Sequence, residues 1–132
     1  MRIIVTGGAG FIGSAVCRFL AGRNDCDILN IDKLTYAANL DSLISVKDLP
    51  EYTFEQVDIC HLPAIKSAFR SHRPDAVIHL AAESHVDRSI DGSDACIQTN
   101  IIGTYNMLQL AKKCRAKFFL ASTSEVYGDP EE

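Results

Sequence analysis

Short apolar runs and longer amphipathic stretches alternate along the chain. Ile3, Ile4 and Val5 form a run with no polar break, the pattern of a parallel strand buried on both faces. Phe11, Ile12, Ala15, Val16, Phe19 and Leu20 then recur at helical spacing up to Gly22. Cys26–Ile31 predicts a second strand, Tyr52–Val57 a third, Ala76–Ala81 a fourth and Phe118–Ser122 a fifth. Pro63 suits the first turn of a helix after the third strand, and Leu62, Ile65, Ala68 and Phe69 mark its buried face. A longer helix is predicted from about Asp94 to Lys113, with Ile97, Ile101, Met107, Leu108 and Ala111 toward the core. The stretch from Asp32 to Pro50 reads as a short helix plus loop. Strands alternating with helices imply a parallel sheet with right-handed crossovers. The expected architecture is a Rossmann-like, doubly wound, three-layer α/β/α domain with strand order 3-2-1-4-5. The winding reverses between strands one and four, which leaves a crevice at their carboxyl ends.

Composition narrows the partners. The chain of 132 residues is expected to form one domain, 1–132. Its net charge of −4 argues against nucleic acid or an anionic membrane surface as the main partner. No stretch approaches the ~20 apolar residues of a membrane span, and the N-terminus reads as a buried strand rather than a leader. Cys17, Cys26, Cys60, Cys96 and Cys114 are scattered and form no CxxC pair, which suits free thiols in the cytoplasm. No metal site is expected. His61 and His72 read as solvated residues beside a helix, and His79, inside an apolar strand, as a hydrogen-bonded core histidine.

The chemistry starts at the first turn. Gly7, Gly8, Gly10 and Gly13 separate strand from helix. Glycines there let the backbone turn tightly and approach a diphosphate, and the helix start behind them offers unpaired N–H groups to that anion. Asp32 ends the second apolar run, 19 residues after Gly13, near the ~20 expected of a carboxylate that binds an adenosine ribose. A carboxylate accepts from ribose hydroxyls and repels a 2′-phosphate, so NAD is favoured over NADP. Lys33 is the one counter-indication, since a neighbouring cation tolerates a phosphate.

The segments TGGAGFIG (6–13), NIDKLTYAANL (30–40), DI (58–59), HLAAESHVDRSI (79–90), TNIIGTYNML (99–108) and STSEVYG (122–128) resemble the extended short-chain dehydrogenase/reductase family, whose members modify nucleotide sugars. DKLTYAANL and AAESHVDRS are similar to the branch of 4,6-dehydratases that act on dTDP-glucose. The resemblance implies that Gly7, Gly10, Gly13 and the amides of Phe11 and Ile12 lie at the pyrophosphate. It places Asp32, Lys33, Leu34 and Thr35 at the adenosine ribose, with Asp58 and Ile59 at the adenine edge. Leu80, Ala81, Ala82, Glu83 and Ser84 are implied on the path to the nicotinamide, with Ser84 also at the sugar, and Thr99 at the cofactor. Thr123, Ser124 and Glu125 are the implied catalytic and substrate-contacting segment. Glu125 would remove the C5 proton and Thr123 would hydrogen-bond the C4 oxygen while NAD exchanges hydride with the hexose. A homodimer built through the long helix is implied as well.

Two positions depart from that branch. Ser124 stands where its members usually carry an aspartate as general acid, and STSEVYGDP is similar to UDP-glucuronate decarboxylases. A decarboxylase or 4-epimerase, and a non-catalytic dinucleotide-binding module, are therefore the alternative readings. The family's Tyr-x-x-x-Lys pair is absent: Leu40, Gln56, Gln109 and Glu131 follow Tyr36, Tyr52, Tyr105 and Tyr127 by four residues. The expectation is an N-terminal fragment that lacks the substrate-binding part and is inactive alone.

Overall fold

The computed structural model describes residues 1–84 and 93–128, apart from the side chains of Ser93, Ser124 and Glu125. β1 (Arg2–Thr6) lies at the centre of a five-stranded sheet and pairs in parallel with β2 (Asp27–Asp32) and β4 (Ala76–His79). β3 (Tyr52–Gln56) extends the sheet beyond β2, and β5 (Lys117–Leu120) beyond β4. The order is 3-2-1-4-5, as the alternation predicts. Ile4 faces Leu29 and Val77 across the two central ladders.

Side chains alternate between the faces of the sheet and build two cores. Ile4, Leu29, Ile31 and Val77 pack with Ile65, Phe69, Met107 and Ala111 on one side. Ile3, Val5 and Ile28 pack with Cys17, Ala21, Leu43 and Tyr52 on the other. α1 (Phe11–Ala21) covers the second core, and α2 (Leu62–His72) and α4 (Thr104–Cys114) cover the first. α2 carries its proline in the first turn and buries Ile65, Ala68 and Phe69 of the four residues expected, with Leu62 half-buried at its start. Residues 33–50 form turns around one short 3₁₀ helix, Leu40–Leu43.

Three features were not given by the pattern. α1 buries Gly13, Ser14, Cys17 and Ala21, while Phe11, Ile12 and Phe19 are exposed. The small residues win because the helix comes against the β1 turn, where even one Cβ on Gly13 would overlap the Gly7 carbonyl. Second, β4 and β5 end at His79 and Leu120, two residues before the apolar pattern does. The Leu80 amide is shared between the Thr6 carbonyl and hydroxyl, and the Ala81 amide turns to the Thr6 hydroxyl.

Third, Ile97, Ile101 and Leu108 of the long helix are exposed. α3 (Ser93–Cys96) runs through a π-helical segment, Ile97–Gly103, into α4. A π segment widens the turn and rotates the face seen by the core. Thr99, Gly103, Met107, Leu110 and Ala111 face inward, so only Met107 and Ala111 of the expected set are buried.

His79 is a buried histidine with two hydroxyl partners, as expected. His61 is exposed, but the Nε2 of His72 is buried with no partner. The five cysteines are free. Among the described residues no helix is long and apolar enough to cross a membrane, and no group of three or more His, Cys, Asp or Glu could hold a metal ion.

Candidate functional site

The site forms where β1 and β4 part company with the direction of the chain. Gly7 adopts φ +71°, a left-handed conformation that glycine takes without strain. Its amide bonds Ile31 O at 2.8 Å, and its carbonyl accepts from Gly10 N at 3.1 Å. A Cβ there would lie 2.7 Å from Ala81 N, so the turn sits directly against the strand end beside it. α1 starts from Gly10 with no side-chain cap and no acidic residue in its first turn. The first-turn amides of Phe11, Ile12 and Gly13 therefore face the cleft with the positive end of the helix dipole.

Asp32 stands beside this turn. Its Oδ2 accepts from Ala9 N at 3.0 Å and its Oδ1 from Leu34 N at 2.8 Å. The carboxylate thus ties the glycine turn to the loop after β2, and each oxygen keeps a further lone pair. Lys33 points away from it. Its ammonium lies 3.7 Å from Asp58 Oδ2 and 3.4 Å from Thr99 Oγ1. Asp58 is itself fixed, because Oδ1 accepts from Cys60 N at 2.8 Å.

The opposite wall is the chain after β4. Asn100, in the π-helical segment, pins it with both ends of one amide. Its Oδ1 accepts from Glu83 N at 2.8 Å and its Nδ2 donates to Glu83 O at 2.9 Å. The Glu83 carboxylate accepts from the Tyr36 hydroxyl at 2.8 Å, which joins the loops after β2 and β4. Gly103 lets the long helix close on the third loop, since a Cβ there would overlap the Ile59 side chain.

These walls enclose a cleft of about 430 Å³, the size of a small-molecule site. Of the residues singled out in the sequence, Gly7, Gly10, Phe11, Ile12, Gly13, Asp32, Lys33, Thr35, Ile59, Leu80, Ala81, Ala82, Ser84 and Thr99 line it. Leu34, Asp58 and Glu83 do not, and act on it through the contacts above. Thr123 is exposed and directly follows Ala121 and Ser122, where the lining ends. The side chains of Ser124 and Glu125, and residues 85–92, which include the second half of the AAESHVDRS segment, lie outside the described residues.

The residues singled out did not include Ile31, Ala37, Ala38, Val57 and Ala121, and Ser122 entered only within the STSEVYG segment; these complete the lining. Ile31, Val57, Ala121 and Ser122 lie at or just beyond strand ends, so the sheet topology was the signal that could have found them. Asn100 had no such signal, because its orientation depends on the π turn.

A parallel sheet that reverses its winding at a glycine turn, with an acidic residue ending the second strand, defines the doubly wound Rossmann class. The family model for GDP-mannose 4,6 dehydratase matches residues 4–132, and the chain belongs to that family. A dTDP-glucose 4,6-dehydratase from Haemophilus influenzae is 52% identical over 98% of this chain and 41% of its own length. The chain thus spans about two fifths of the length of that relative. The structure of a dTDP-glucose 4,6-dehydratase from Streptomyces venezuelae, solved with NAD bound, is 40% identical and superposes with a TM-score of 0.87 over 100% of this chain and 42% of its own. A UDP-glucose 4-epimerase from Thermotoga maritima, solved with UDP-glucose, is 33% identical, with a TM-score of 0.87 over 100% of this chain and 41% of its own.

Proposed function

We propose that this chain is the NAD-holding domain of a nucleotide-sugar 4,6-dehydratase that acts on dTDP-glucose. The observation that carries the reading is the joining of the glycine turn, Asp32 and the loops after β3 and β4 in one cleft. The residues fit the cofactor. The uncapped start of α1 suits a diphosphate, and the free lone pairs of Asp32 suit a ribose diol. Gly7, Gly10, Phe11, Ile12 and Gly13 would hold the pyrophosphate, and Asp32, Lys33, Leu34 and Thr35 the adenosine ribose. Asp58 and Ile59 would meet the adenine, and Leu80 to Ser84 with Thr99 would line the way to the nicotinamide. The relatives' names and the NAD in a solved neighbour support the same assignment.

When bound, NAD would take hydride from C4 of the hexose and return it to C6. The chain's own contribution is acid–base. Thr123 would hydrogen-bond the C4 oxygen. Glu125 would remove the C5 proton, which a C4 ketone acidifies. Serine is a poor general acid, so Glu125 would also protonate the leaving C6 hydroxyl. Ser124 is the one residue that favours a decarboxylase or 4-epimerase as the second reading, and product analysis separates these from a dehydratase.

The exposed residues Ile97, Ile101, Ile102, Tyr105 and Leu108 support a homodimer through the long helix. The free cysteines fit a reducing cytoplasm.

Calorimetry tests the cofactor assignment. NAD should bind the chain, more tightly than NADP, and Asp32→Ala should weaken NAD at least tenfold. A folded chain that binds no NAD would remove the assignment.

A further inference from the structure

Lys33 is the only cation among the described residues that line the cleft. Next to Asp32 in sequence, it stands where a basic residue would welcome a 2′-phosphate on the adenosine ribose. Its ammonium is instead drawn to Asp58 Oδ2, in the loop after β3, at 3.7 Å and to Thr99 Oγ1, on the π-helical segment, at 3.4 Å. Asp58 is well placed for this. One of its oxygens caps the Cys60 amide, which fixes the side chain and leaves the other oxygen toward Lys33. Thr99 is buried, and the π-helical segment that carries it is held by the Asn100–Glu83 pair of hydrogen bonds.

We propose that Asp58 is a specificity-determining residue: by holding Lys33 it withdraws the cleft's only described cation from the ribose, and so excludes dinucleotides with a 2′-phosphate. The proposal rests on the assignment of the cleft to NAD. Selectivity then has two parts. Asp32 repels the phosphate directly, and Asp58 removes the charge that would offset that repulsion. The second part is electrostatic and partly exposed, with Lys33 and Asp58 side chains 33% and 40% accessible. It is therefore strongest at low ionic strength.

The test is the ratio of NADP to NAD dissociation constants, measured by calorimetry on the full chain at low salt. Asp58→Asn keeps the Oδ1 acceptor for Cys60 N and removes only the charge. It should lower the ratio about fivefold or more. Adding Lys33→Gln to Asp58→Asn should return the ratio to within about twofold of wild type, because the gain comes from the released ammonium. Asp58→Ser, whose hydroxyl also caps Cys60, repeats the test if the asparagine variant does not fold. A ratio unchanged in both Asp58 variants overturns the proposal. So does a lowered ratio that persists in the Lys33→Gln double variant, which would mean that the lost carboxylate acted on the phosphate directly. Failure of the underlying reading is separate: the wild-type chain would then bind neither dinucleotide.

Discussion

At the level of single residues, His79 shows how a buried polar side chain sets the wall of the cleft. The Thr6 hydroxyl accepts from the Ala81 amide and shares the Leu80 amide with the Thr6 carbonyl, each amide nitrogen lying 3.2 Å from the hydroxyl oxygen. Its own hydrogen is therefore directed at His79 Nδ1, 2.7 Å away. The ring must carry its proton on Nε2, which donates to Thr104 Oγ1 at 2.9 Å. Protonating Nδ1 would set a donor against a hydroxyl that already gives its hydrogen to that nitrogen. Burial acts in the same direction and pushes the histidine down to about 4 from 6.5. A depressed value means that the unfolded chain takes up the proton first. The stability held above pH 6.5 is lost as pH falls toward 4, and amounts to roughly 3 kcal/mol. Asp25 and Asp75, whose carboxyls are held below 3.8 by hydrogen bonds, lose their contribution only at lower pH. Urea midpoints between about pH 7.5 and pH 4.5 should fall steeply for the wild type and much less for His79→Gln. Equal slopes would sink this account.

Elements differ in how far their sequence foretells them. β1 and β2 are mostly buried strands and β3 is an edge strand that buries only Tyr52, yet the apolar pattern placed all three and the sheet order followed. The α1 pattern predicted a helix, and the helix forms, but its spacing did not say which face is buried. Phe11 and Phe19 stay exposed, because the turn below leaves room only for small residues such as Gly13, Ser14 and Cys17. The long helix misled for another reason. A fixed 3.6-residue period cannot foresee a π segment, and the shift after Cys96 turned Ile97, Ile101 and Leu108 outward. That outward face, with Ile102 and Tyr105, is a contiguous apolar stripe on one helix, which a second copy would cover. Ile101→Glu with Leu108→Glu should shift the chain toward monomer in sedimentation velocity at micromolar concentration. The thermal midpoint of the monomer should change little, because both side chains are exposed. A chain that is monomeric without the changes would rule out this surface as a stable dimer contact.

Across the whole molecule, the cleft draws residues from the segments that follow all five strands, from Gly7 after β1 to Ser122 after β5. The topology brings them together because every parallel strand ends on the same side of the sheet. That arrangement made the cofactor side of the site legible: glycines, Asp32 and the AAES segment are fixed in sequence and meet without further information. The contacts that refine it were not legible, since Asn100 on Glu83, Tyr36 on Glu83 and Asp58 on Lys33 join residues 17 to 47 positions apart. The same division separates binding from turnover. The side proposed for the dinucleotide is lined by residues 7 to 99, whereas the proposed oxidation at C4 would also need a base for the hexose hydroxyl. No tyrosine of the chain is followed by lysine four residues on, and a missing general base costs about 10²–10⁴-fold. The chain should therefore bind NAD and still fail to dehydrate dTDP-glucose. Mass spectrometry should find less than a thousandth of the water loss that the Haemophilus influenzae relative gives under the same conditions. Turnover within tenfold of that relative would show that a residue of this chain serves as the base, and would move the search to the polar groups around Ser84 and Thr123.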